Sequence, residues 1–599
     1  MCGIAGIFAY HPGAEPSDPD ELGRICEAMA SRGPDGSGLW LEEGRRVGLA
    51  HRRLAIIDVS ETGAQPMADP NGRLTITFNG EIYNYRELRK DLEGRGYEFR
   101  SQSDTEVLLA LWDLHGQEMV HHLRGMYAFA LWDGGERSLF LARDPFGIKP
   151  LYVADDGRTL RFASQVKGLM AGGKVPAVTD LAAWAGFYML GYVPEPHTVQ
   201  RAVRAILPGQ SILVRETGPA APRFHFDLNA ELRLAEETAL QLPSIEAESR
   251  LRHALFDSVR AHLVADVPVG MFLSAGLDSS TVLGLATDAA PGTLHAITLG
   301  FNELRGSPQD ETELATLAAR HAGASHEVRW ITRDDFAGHL KKLMKAMDQP
   351  SIDGINSYFV SLAAAQAGMK VALSGLGGDE LMAGYPSFRQ VPRLTRMLGP
   401  LALPAGLGRG FRRFFSPLLG RHVSPKYAGL LEYGGILPGA YLLRRALFMP
   451  WELPGLLGTL EGGQALEELD LMGRLQSSIE GLKSDRARMM ALEMGWYLCG
   501  QLLKDTDWAS MAHGLEVRVP MVDLELFRML APIQVGKAPL SKTALANCPS
   551  SGLIAALRHR PKTGFTTPVR YWAQELFGTP SRDRGLRGWA LALSRPLIL

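Results

Sequence analysis

Cysteine is scarce in this sequence. Of 599 residues only four are cysteines, and they stand far apart as Cys2, Cys26, Cys499 and Cys548. No two of them form a C-x-x-C pair or a zinc-ligand spacing, which excludes a disulfide framework and a zinc site built from a local cysteine motif. We therefore expect free thiols and a cytoplasmic protein.

Neither sign of charge dominates, and long uninterrupted apolar runs are missing. The 63 Lys and Arg residues nearly balance the 65 Asp and Glu residues, for a formal net charge of −2, which argues against a general nucleic-acid binder. Two apolar stretches, near 181–193 and 436–458, contain or end at Pro, Glu or Arg. The first residues also lack a basic segment, so we expect no signal peptide, no transmembrane helix and no membrane partner.

The signature G-x-x-x-x-G-K-[ST] is absent, which excludes the mononucleotide-binding P-loop. A different candidate phosphate site lies at 267–280, where an apolar run gives way to small residues and then to the helical pattern of 281–286. This order predicts a buried strand, a tight turn and a helix. Free N–H groups at the helix start favour phosphate or pyrophosphate, beside which Asp278 would hold Mg²⁺. The alternative is an ordinary strand-turn-helix with a serine cap.

The turn in this segment resembles the pyrophosphate-binding loop S-G-G-x-D-S of ATP pyrophosphatases, enzymes that adenylate a carboxyl or carbonyl group. Ser274, Gly276, Asp278 and Ser279 match that loop, whereas Ala275 stands where the family usually has glycine. Alanine fits there only if its φ stays negative.

The N-terminus offers a second candidate site. If Met1 is removed, Cys2 becomes the first residue and carries both a thiol and a free α-amine. An α-amine has an ordinary pKa near ~8, so part of it is neutral at pH 7 and can accept the thiol proton. The alternative is a buried cysteine in a core strand with Ile4, Ile7 and Phe8, and this stretch alone does not decide between the two.

The segments after Cys2 resemble the glutaminase domain of class II glutamine amidotransferases. The resemblance covers most of residues 2–205, and its motifs stand in order: Cys2-Gly3-Ile4, Arg32-Gly33-Pro34-Asp35, His51-Arg52-Arg53-Leu54, Asn79-Gly80-Glu81-Ile82-Tyr83-Asn84, and Arg143-Asp144 with Gly147-Ile148-Lys149-Pro150-Leu151. It implies the α/β sandwich of N-terminal-nucleophile hydrolases. It also implies that Cys2 attacks the side-chain amide of glutamine, and that Asn79 and the N–H of Gly80 form the oxyanion hole.

The same resemblance implies a binding site for the rest of the glutamine molecule. Arg53 would bind the α-carboxylate, and Glu81 and Asp104 the α-ammonium group. These roles are physically consistent, because a zwitterionic substrate needs one fixed cation and one fixed anion. Two structural alternatives stay open: Asp104 as only a helix N-cap, and Asn79-Gly80 as only a hairpin turn.

The length predicts more than one domain. We place the glutaminase domain at 2–215, an Ala/Pro/Glu-rich linker at 216–246 and a second domain at 247–599. Strand-like and helix-like segments alternate in the second domain, which predicts an α/β fold with a doubly wound parallel sheet that binds ligands at the carboxyl ends of its strands. A second glycine-rich turn, 374–380, follows one of these strands.

The end of the chain resembles glutamine-hydrolysing asparagine synthetases, in the segments 503–523, 541–543 and 560–568. With the glutaminase half, the resemblance spans nearly the whole chain. The residues it assigns to ATP and pyrophosphate are Leu273, Ser274, Gly276, Asp278, Ser279, Leu299, Ser374, Gly375 and Lys542. Asp278 and Asp379 are implied to hold Mg²⁺, and Lys542 to neutralise the phosphates. Taken alone, Lys542 is equally well explained as a surface lysine.

One departure from this family concerns the acceptor. Asparagine synthetases usually carry Glu in the segment Ser-Gly-Glu-Gly-Ser-Asp-Glu where this chain has Leu376. That Glu would assist the attack of ammonia, and leucine cannot accept a proton. Relatives with Leu here also occur among synthetases of surface-polysaccharide and natural-product clusters.

Together these motifs predict an asparagine synthetase that uses glutamine, ATP with Mg²⁺, and aspartate. The main alternative keeps the chemistry but amidates another carboxylate, such as a uronic acid or a natural-product intermediate. A remote alternative is an inactive scaffold that senses glutamine. The sequence leaves the oligomeric state open, a homodimer included.

Overall fold

The computed structural model describes residues 2–292, 294–401, 405–419, 424–558, 560, 568, 572 and 586–598. The strands are β1 (Gly3–Phe8), β2 (Gly36–Leu41), β3 (Val47–Arg53), β4 (Met67–Ala68), β5 (Leu74–Ile82), β6 (Gly125–Asp133), β7 (Ser138–Arg143), β8 (Tyr152–Asp155), β9 (Leu160–Ala163), β10 (Arg204–Ala205), β11 (Gln210–Arg215), β12 (Gly218–Pro219), β13 (Arg223–Phe224), β14 (Val269–Phe272), β15 (His295–Phe301), β16 (Ser325–Ile331), β17 (Val371–Leu373) and β18 (Glu516–Arg518).

The helices, in chain order, are α1 (Pro19–Glu27), α2 (Tyr85–Gly94), α3 (Asp104–His115), α4 (Val166–Ala171), α5 (Leu181–Leu190), α6 (Leu228–Glu237), α7 (Ser244–His262), α8 (Leu277–Ala289), α9 (Thr312–Ala322), α10 (Arg333–Ala346), α11 (Ile355–Gln366), α12 (Gly378–Leu381), α13 (Ser387–Leu398), α14 (Ala405–Leu419), α15 (Leu430–Tyr433), α16 (Leu437–Arg445), α17 (Pro454–Leu457), α18 (Thr459–Leu469), α19 (Leu471–Ser477), α20 (Asp485–Leu492), α21 (Leu503–Met511), α22 (Leu524–Gln534), α23 (Ala555–Arg558) and α24 (Leu586–Ile598). A π-helical segment, Glu493–Leu502, joins α20 to α21.

Two antiparallel sheets form the N-terminal half. Their strand orders are β10-β8-β9-β1-β3-β2 and β12-β11-β7-β6-β5-β4, with β13 beside β11. Apolar side chains such as Ile4 and Phe8 of the first sheet pack against Ala130 and Leu141 of the second. Helix α1 covers the outer face of the first sheet and α3 that of the second. This helix-sheet-sheet-helix sandwich confirms the predicted N-terminal fold.

The alternation of β5 determines which of its residues face the interior of the sandwich. Leu74, Ile76 and Phe78 pack towards α3. Because side chains alternate along a strand, Thr77 and Asn79 point the opposite way, and the hydroxyl of Thr77 lies 3.2 Å from Nδ1 of His51 in β3. The polar positions of β5 therefore face the first sheet, in which β3 lies beside β1.

The C-terminal half is built on a five-stranded parallel sheet of order β16-β15-β14-β17-β18. Helices α7, α8 and α9 pack on one face, and α10, α11 and α21 on the other. The prediction of a doubly wound sheet is thereby confirmed. The chain order reverses around β14, which creates the switch point where such sheets bind ligands.

The halves are packed together through an apolar contact between α5 and α18. The segment 216–246, predicted as a linker, contains β12, β13, α6 and the start of α7; the exact domain limits stay a prediction. All four cysteines are free and buried. Among the described helices none is long and apolar enough to cross a membrane.

Candidate active sites

Cys2 and Asn79 meet between the two sheets of the sandwich. Cys2 is buried directly before β1, and its N–H donates to Oδ1 of Asn79 at 2.9 Å. Nδ2 of Asn79 is buried and has no hydrogen-bond partner among the described residues. Burial raises the pKa of the Cys2 thiol, against the positive charge of the N-terminus. Because buried amide donors are rarely left unpaired, this one indicates a ligand acceptor next to the thiol.

Gly80 allows β5 and β6 to approach each other closely. A Cβ atom at this position would come within 2.1 Å of the carbonyl oxygen of Met126. Asn79 and Gly80 lie inside β5, opposite Ala128 and Tyr127 of β6. The hairpin-turn alternative for this pair is therefore wrong.

Asp104 is the first residue of α3 and not its N-cap. Ser103 caps the helix by accepting a hydrogen bond from Thr105 N, whereas Oδ2 of Asp104 accepts one from Ile82 N at 3.0 Å. Burial raises the pKa of Asp104 to about 6. The alternative that Asp104 serves only as a cap is wrong, and its carboxyl group lies at the end of β5, beside Glu81.

Glu81 is almost fully buried and is shared between the two halves of the protein. Its Oε2 accepts a hydrogen bond from Nη2 of Arg518 at 2.6 Å, whereas Oε1 has no partner among the described residues. Burial and the negative charges of Asp104 and Glu516 hold the pKa of Glu81 well above its usual range, despite Arg518. An excess of buried carboxyl groups favours a bound cation.

Arg53, at the end of β3, is tied to the loop that follows it. Its guanidinium group donates to the carbonyl oxygen of Ser60 at 2.8 Å and to that of Asp58. Since both partners are neutral carbonyls, the positive charge of Arg53 is not neutralised by them.

The predicted phosphate-binding turn lies between β14 and α8. Its hydroxyl groups close the turn: Gly276 N donates to Oγ of Ser274 at 3.1 Å, and Oγ of Ser279 lies 3.0 Å from that same oxygen. The φ angle of Ala275 is not positive, so alanine is tolerated where the family usually has glycine. The predicted strand-turn-helix is confirmed.

The second glycine-rich turn packs directly against the first. A Cβ atom on Gly375 would lie 2.6 Å from Ser279 N, and one on Gly378 would lie 2.5 Å from Oδ1 of Asp278. Only glycine permits this contact, which places the carboxyl ends of β14 and β17 side by side. The other predicted ATP residues are all buried: Leu273 and Ser374 directly follow β14 and β17, and Leu299 lies within β15.

Lys542 joins the two turns through their carboxylates. Its Nζ lies 2.6 Å from Oδ2 of Asp278 and 2.5 Å from Oδ1 of Asp379. Burial lowers the pKa of Lys542, but the two negative charges outweigh it and raise the pKa overall. A half-buried lysine held between two carboxylates is no solvated surface residue, so that alternative is wrong.

The carboxylates of Asp278 and Asp379 fit Mg²⁺ only together with the phosphates of a nucleotide. No group of three or more His, Cys, Asp or Glu side chains suited to a metal occurs in the part of the chain that the structure describes. Mg²⁺ is commonly held by one or two carboxylates together with substrate phosphates. Asp278 and Asp379 match that pattern.

Family models match both halves of the chain. The model described as glutamine amidotransferase domain matches residues 1–225, and the model described as asparagine synthase matches residues 250–582. The chain belongs to the asparagine synthetase family. It is an ATP-dependent ligase with a glutamine amidotransferase domain.

Among its relatives is asparagine synthetase [glutamine-hydrolyzing] 1 of Bacillus subtilis, 33% identical over 580 residues that cover 96% of this chain and 88% of that protein. Asparagine synthetase [glutamine-hydrolyzing] 3 of the same organism is 31% identical, over 88% of this chain and 80% of its own length. Amidase chry2 of Gibberella zeae is 30% identical, over 65% of this chain and 60% of its own length.

Leu376, the position that departs from the family pattern, lies in the second glycine-rich turn of this chain. Leu376 is half-buried and packs against the core. Glu380 of α12 is 1% exposed and accepts a hydrogen bond from the hydroxyl of Tyr385 at 3.0 Å. Burial and the charge of Asp379 raise the pKa of Glu380 to about 8.

Three arginines lie at these sites and make contacts that the sequence did not predict. Arg560 donates to the carbonyl oxygen of Ala275 at 3.2 Å, inside the phosphate-binding turn. Arg32 and Arg518 link the two halves. Each belongs to a motif that resembles the family, but spacing along the chain does not show which distant residue it meets. Most of the segment 560–568 lies outside the described residues.

A small cavity of about 40 Å³ lies between the two halves of this protein. Its walls combine residues of the amidotransferase half with residues of α21 and the loop before α11. They include Arg32, Tyr152, Ser351, Lys504, Asp505 and Asp507.

Proposed function

We propose that the chain hydrolyses glutamine at Cys2 and uses the ammonia to amidate the β-carboxylate of aspartate, activated with ATP. One observation carries the proposal: a buried Cys2–Asn79 pair and an Asp278–Lys542–Asp379 cluster lie in two separate halves of one tightly packed chain. The first is suited to amide hydrolysis and the second to phosphate chemistry.

In the glutaminase reaction, Sγ of Cys2 attacks the side-chain carbonyl carbon of glutamine. Because burial raises the pKa of the thiol, a base must take its proton, and the α-amine released by removal of Met1 is on the same residue. The carbonyl oxygen becomes negative and is stabilised by Nδ2 of Asn79 and the N–H of Gly80. The amine then protonates the departing ammonia, and water hydrolyses the thioester to glutamate.

Glutamine is held at both ends of its zwitterion. Arg53 offers a charged guanidinium group whose protein partners are neutral carbonyls, which suits the α-carboxylate. Oε1 of Glu81 and the carboxyl group of Asp104 suit the α-ammonium group. Removal of one buried carboxyl group therefore weakens glutamine binding more than it slows hydrolysis of bound glutamine.

At the second site, ATP lies across the two glycine-rich turns. N–H groups at the start of α8 and the hydroxyls of Ser274 and Ser279 donate to the phosphates. Asp278 and Asp379 would hold Mg²⁺, which shields the phosphate charge when it is bound. Lys542 compensates the charge of pyrophosphate as the aspartate carboxylate attacks the α-phosphate and forms an acyl-adenylate.

Ammonia then has to reach the acyl-adenylate before water does. The cavity between the halves lies next to Arg32, which contacts both Cys2 and α21. We propose that ammonia moves through this buried region. Its attack on the acyl carbon displaces AMP and gives the amide.

Leu376 favours a second candidate, in which the acceptor is a different carboxylate. The residue brings no proton acceptor to the turn where the family usually has Glu, so ammonia activation at this position differs from that of an aspartate amidating enzyme. Two candidates for the base in this chain are Glu380, which is buried, and Asp353, which is half-buried.

The variant Cys2→Ala tests the proposal, with Cys26→Ala as the matched control, because Cys26 is also buried but lies outside the site. We expect Cys2→Ala to lose glutamine-dependent amide formation and to keep the ammonium-dependent reaction, and Cys26→Ala to keep both. Pyrophosphate, AMP and amide are measured with aspartate, uronic acids and peptide carboxylates. Loss of the ammonium-dependent reaction in Cys2→Ala contradicts the proposal that glutamine hydrolysis and amide synthesis take place in separate halves of the protein. Pyrophosphate release with another acceptor only selects the second candidate, and no release with any acceptor indicates a glutamine-sensing scaffold.

A further inference from the structure

Arg518 ends β18 in the C-terminal half, yet its side chain lies in the glutamine site of the N-terminal half. The guanidinium group is completely buried. Nη2 donates to Oε2 of Glu81 at 2.6 Å, and Nε donates to Oε1 of Glu516 at 2.5 Å. A residue 437 positions away in sequence thus contacts a proposed ligand of the glutamine α-ammonium group.

The remaining nitrogen of Arg518 fixes the orientation of the planar group. Nη1 donates to the carbonyl oxygens of His262 at 2.9 Å and Val264 at 2.5 Å. His262 is the last residue of α7 and Val264 lies just after it, both in the same half as Arg518. Since Nε and Nη1 both have their partners in the C-terminal half, that half determines where Nη2 points.

Only one oxygen of Glu81 is used by this contact. Oε2 is held by Arg518, whereas Oε1 is buried and has no partner among the described residues. Fixing one oxygen of a carboxylate also fixes the direction in which the other accepts a hydrogen bond. An ammonium group would supply both the donor that this buried oxygen requires and the positive charge that favours ionisation of Glu81.

We propose that Arg518 is a positioning residue of the glutamine site, which orients Glu81 so that Oε1 accepts a hydrogen bond from the α-ammonium group of glutamine. This inference rests on the glutamine site proposed above. The N-terminal half alone then has an incomplete site, and docking of the C-terminal half completes it.

The main chain of Arg518 also supports the other active site. Its carbonyl oxygen accepts a hydrogen bond from Ser374 N at 2.8 Å, at the start of the second ATP turn. A side-chain substitution leaves that bond in place. The contribution of Arg518 to glutamine binding can therefore be measured separately from ATP chemistry.

Arg518→Lys is the variant of choice, because it keeps the positive charge among Glu81, Asp104 and Glu516 and removes only the fork. Glutaminase kinetics are measured with and without ATP. We expect the KM for glutamine to rise about tenfold, as for the loss of one well-oriented charged hydrogen bond, with kcat and ammonium-dependent synthesis changed by less than about threefold.

Arg124→Lys is the matched control. Arg124 also crosses between the halves, donating to Asp523 at 2.9 Å and to Asp257 at 2.7 Å, but it does not contact Glu81. If Arg124→Lys raises the KM for glutamine as much as Arg518→Lys does, loosening of the interface explains the effect and the positioning role is wrong.

The variant Glu81→Gln separates this inference from the glutamine site on which it rests. In that background Arg518→Lys should change the KM for glutamine no further, because the two residues act through one contact. An unchanged KM in Glu81→Gln alone overturns the glutamine site itself. A raised KM in Glu81→Gln with an unchanged KM in Arg518→Lys overturns only the positioning role.

A second variant keeps the test independent of how well Arg518→Lys folds. Glu516→Gln removes the charged partner of Nε without touching Glu81, and ammonium-dependent synthesis reports that the variant is folded. We expect the same direction of change in the KM for glutamine. An unchanged KM in a folded Glu516→Gln variant together with additive effects of Arg518→Lys and Glu81→Gln contradicts the proposal.

Discussion

Arg32 and Asp507 form a bidentate ion pair between the two halves of the protein, with N–O distances of 2.7 and 3.0 Å. Both side chains are buried. Nε of the same arginine donates to the carbonyl oxygen of Cys2 at 3.0 Å. The main chain of the proposed nucleophile is therefore held by a residue whose own partner belongs to the synthetase half.

We expect Asp507→Asn to destabilise the protein by about 3 kcal/mol, because it leaves the buried guanidinium of Arg32 without a countercharge. Thermal unfolding and glutaminase kcat are measured together, and both should fall. Asp91→Asn is the control, since Asp91 pairs with Arg95 on an exposed helix surface and should contribute less than about 1 kcal/mol. Equal stability of the two variants would show that the buried pair contributes no more than a surface pair.

We expect Asn79→Asp to lower glutaminase kcat about 10²–10³-fold, because it keeps an oxygen for Cys2 N and removes the Nδ2 donor of the oxyanion hole. Ammonium-dependent synthesis should be retained. Asn84→Asp is the control: its Nδ2 donates to the carbonyl oxygen of His122, outside the site. If Asn79→Asp loses no more glutaminase activity than Asn84→Asp, Nδ2 of Asn79 is not a donor of the oxyanion hole.

Glutamine binding should depend on pH through Asp104, whose pKa burial raises to about 6 from an ordinary value near 3.8. Only the ionised carboxylate attracts an ammonium group, so the KM for glutamine should fall as pH rises through about 6. His51 has its pKa lowered to about 3 by burial and does not titrate in this range. Asp104→Asn should raise the KM and flatten its pH profile; an unchanged profile assigns the titration to another group.

The raised pKa of Asp104 affects the stability of the folded protein in the opposite direction to glutamine binding. Between pH 4 and pH 6 the folded protein binds the Asp104 proton more tightly than the unfolded chain does, so this residue's contribution to stability falls as pH rises through that range. Thermal unfolding of Asp104→Asn beside the parent protein across the range measures this difference.

Local patterns predicted the parts of the sites that are formed by residues near one another in sequence. The strand-turn-helix at 267–286 and the helix start at Ser103 follow from small residues and capping chemistry. The alternation of Leu74, Ile76 and Phe78 also predicts the strand that carries Asn79. In each case the controlling interactions lie within a few residues, where periodicity and turn chemistry report them directly.

Contacts between the halves could not be predicted in this way. Arg32 and Asp507 are 475 residues apart, and no periodicity records which of many arginines and aspartates meet. Lys542 posed the same difficulty: a lone lysine in a polar segment is as typical of a surface as of a phosphate site. Its place between Asp278 and Asp379 depends on two turns that only the parallel sheet brings together.

We expect Asp278→Asn to raise the Mg²⁺ concentration needed for half-maximal pyrophosphate release and to lower the maximal rate, because one of two carboxylates for the metal is lost. Basal glutaminase activity should stay measurable. Asp288→Asn lies further along α8, where Asp288 accepts a hydrogen bond from Ser550 N, and serves as the control. Identical Mg²⁺ titrations for the two variants would remove Asp278 from the adenylation site.

The last prediction concerns Leu376, the position where the usual Glu is absent. General-base assistance is typically worth about 10²–10⁴-fold, so slow amidation should let part of the acyl-adenylate react with water. If aspartate is the acceptor, Leu376→Glu should raise the asparagine formed per pyrophosphate at saturating ammonium. Leu376→Gln has nearly the same size but no basic carboxylate, and it should give no increase.

Pyrophosphate, AMP and asparagine are measured together, because only their ratio separates productive amidation from hydrolysis of the adenylate. A new carboxyl group at 376 would lie near Asp379 in the same turn, whose negative charge opposes its ionisation, so the gain should be larger at higher pH. A parent protein that already forms one asparagine per pyrophosphate, and a Leu376→Glu variant that forms less, would show that leucine is no deficit here. The argument for a different acceptor would then lose its basis, because it depends on this one residue.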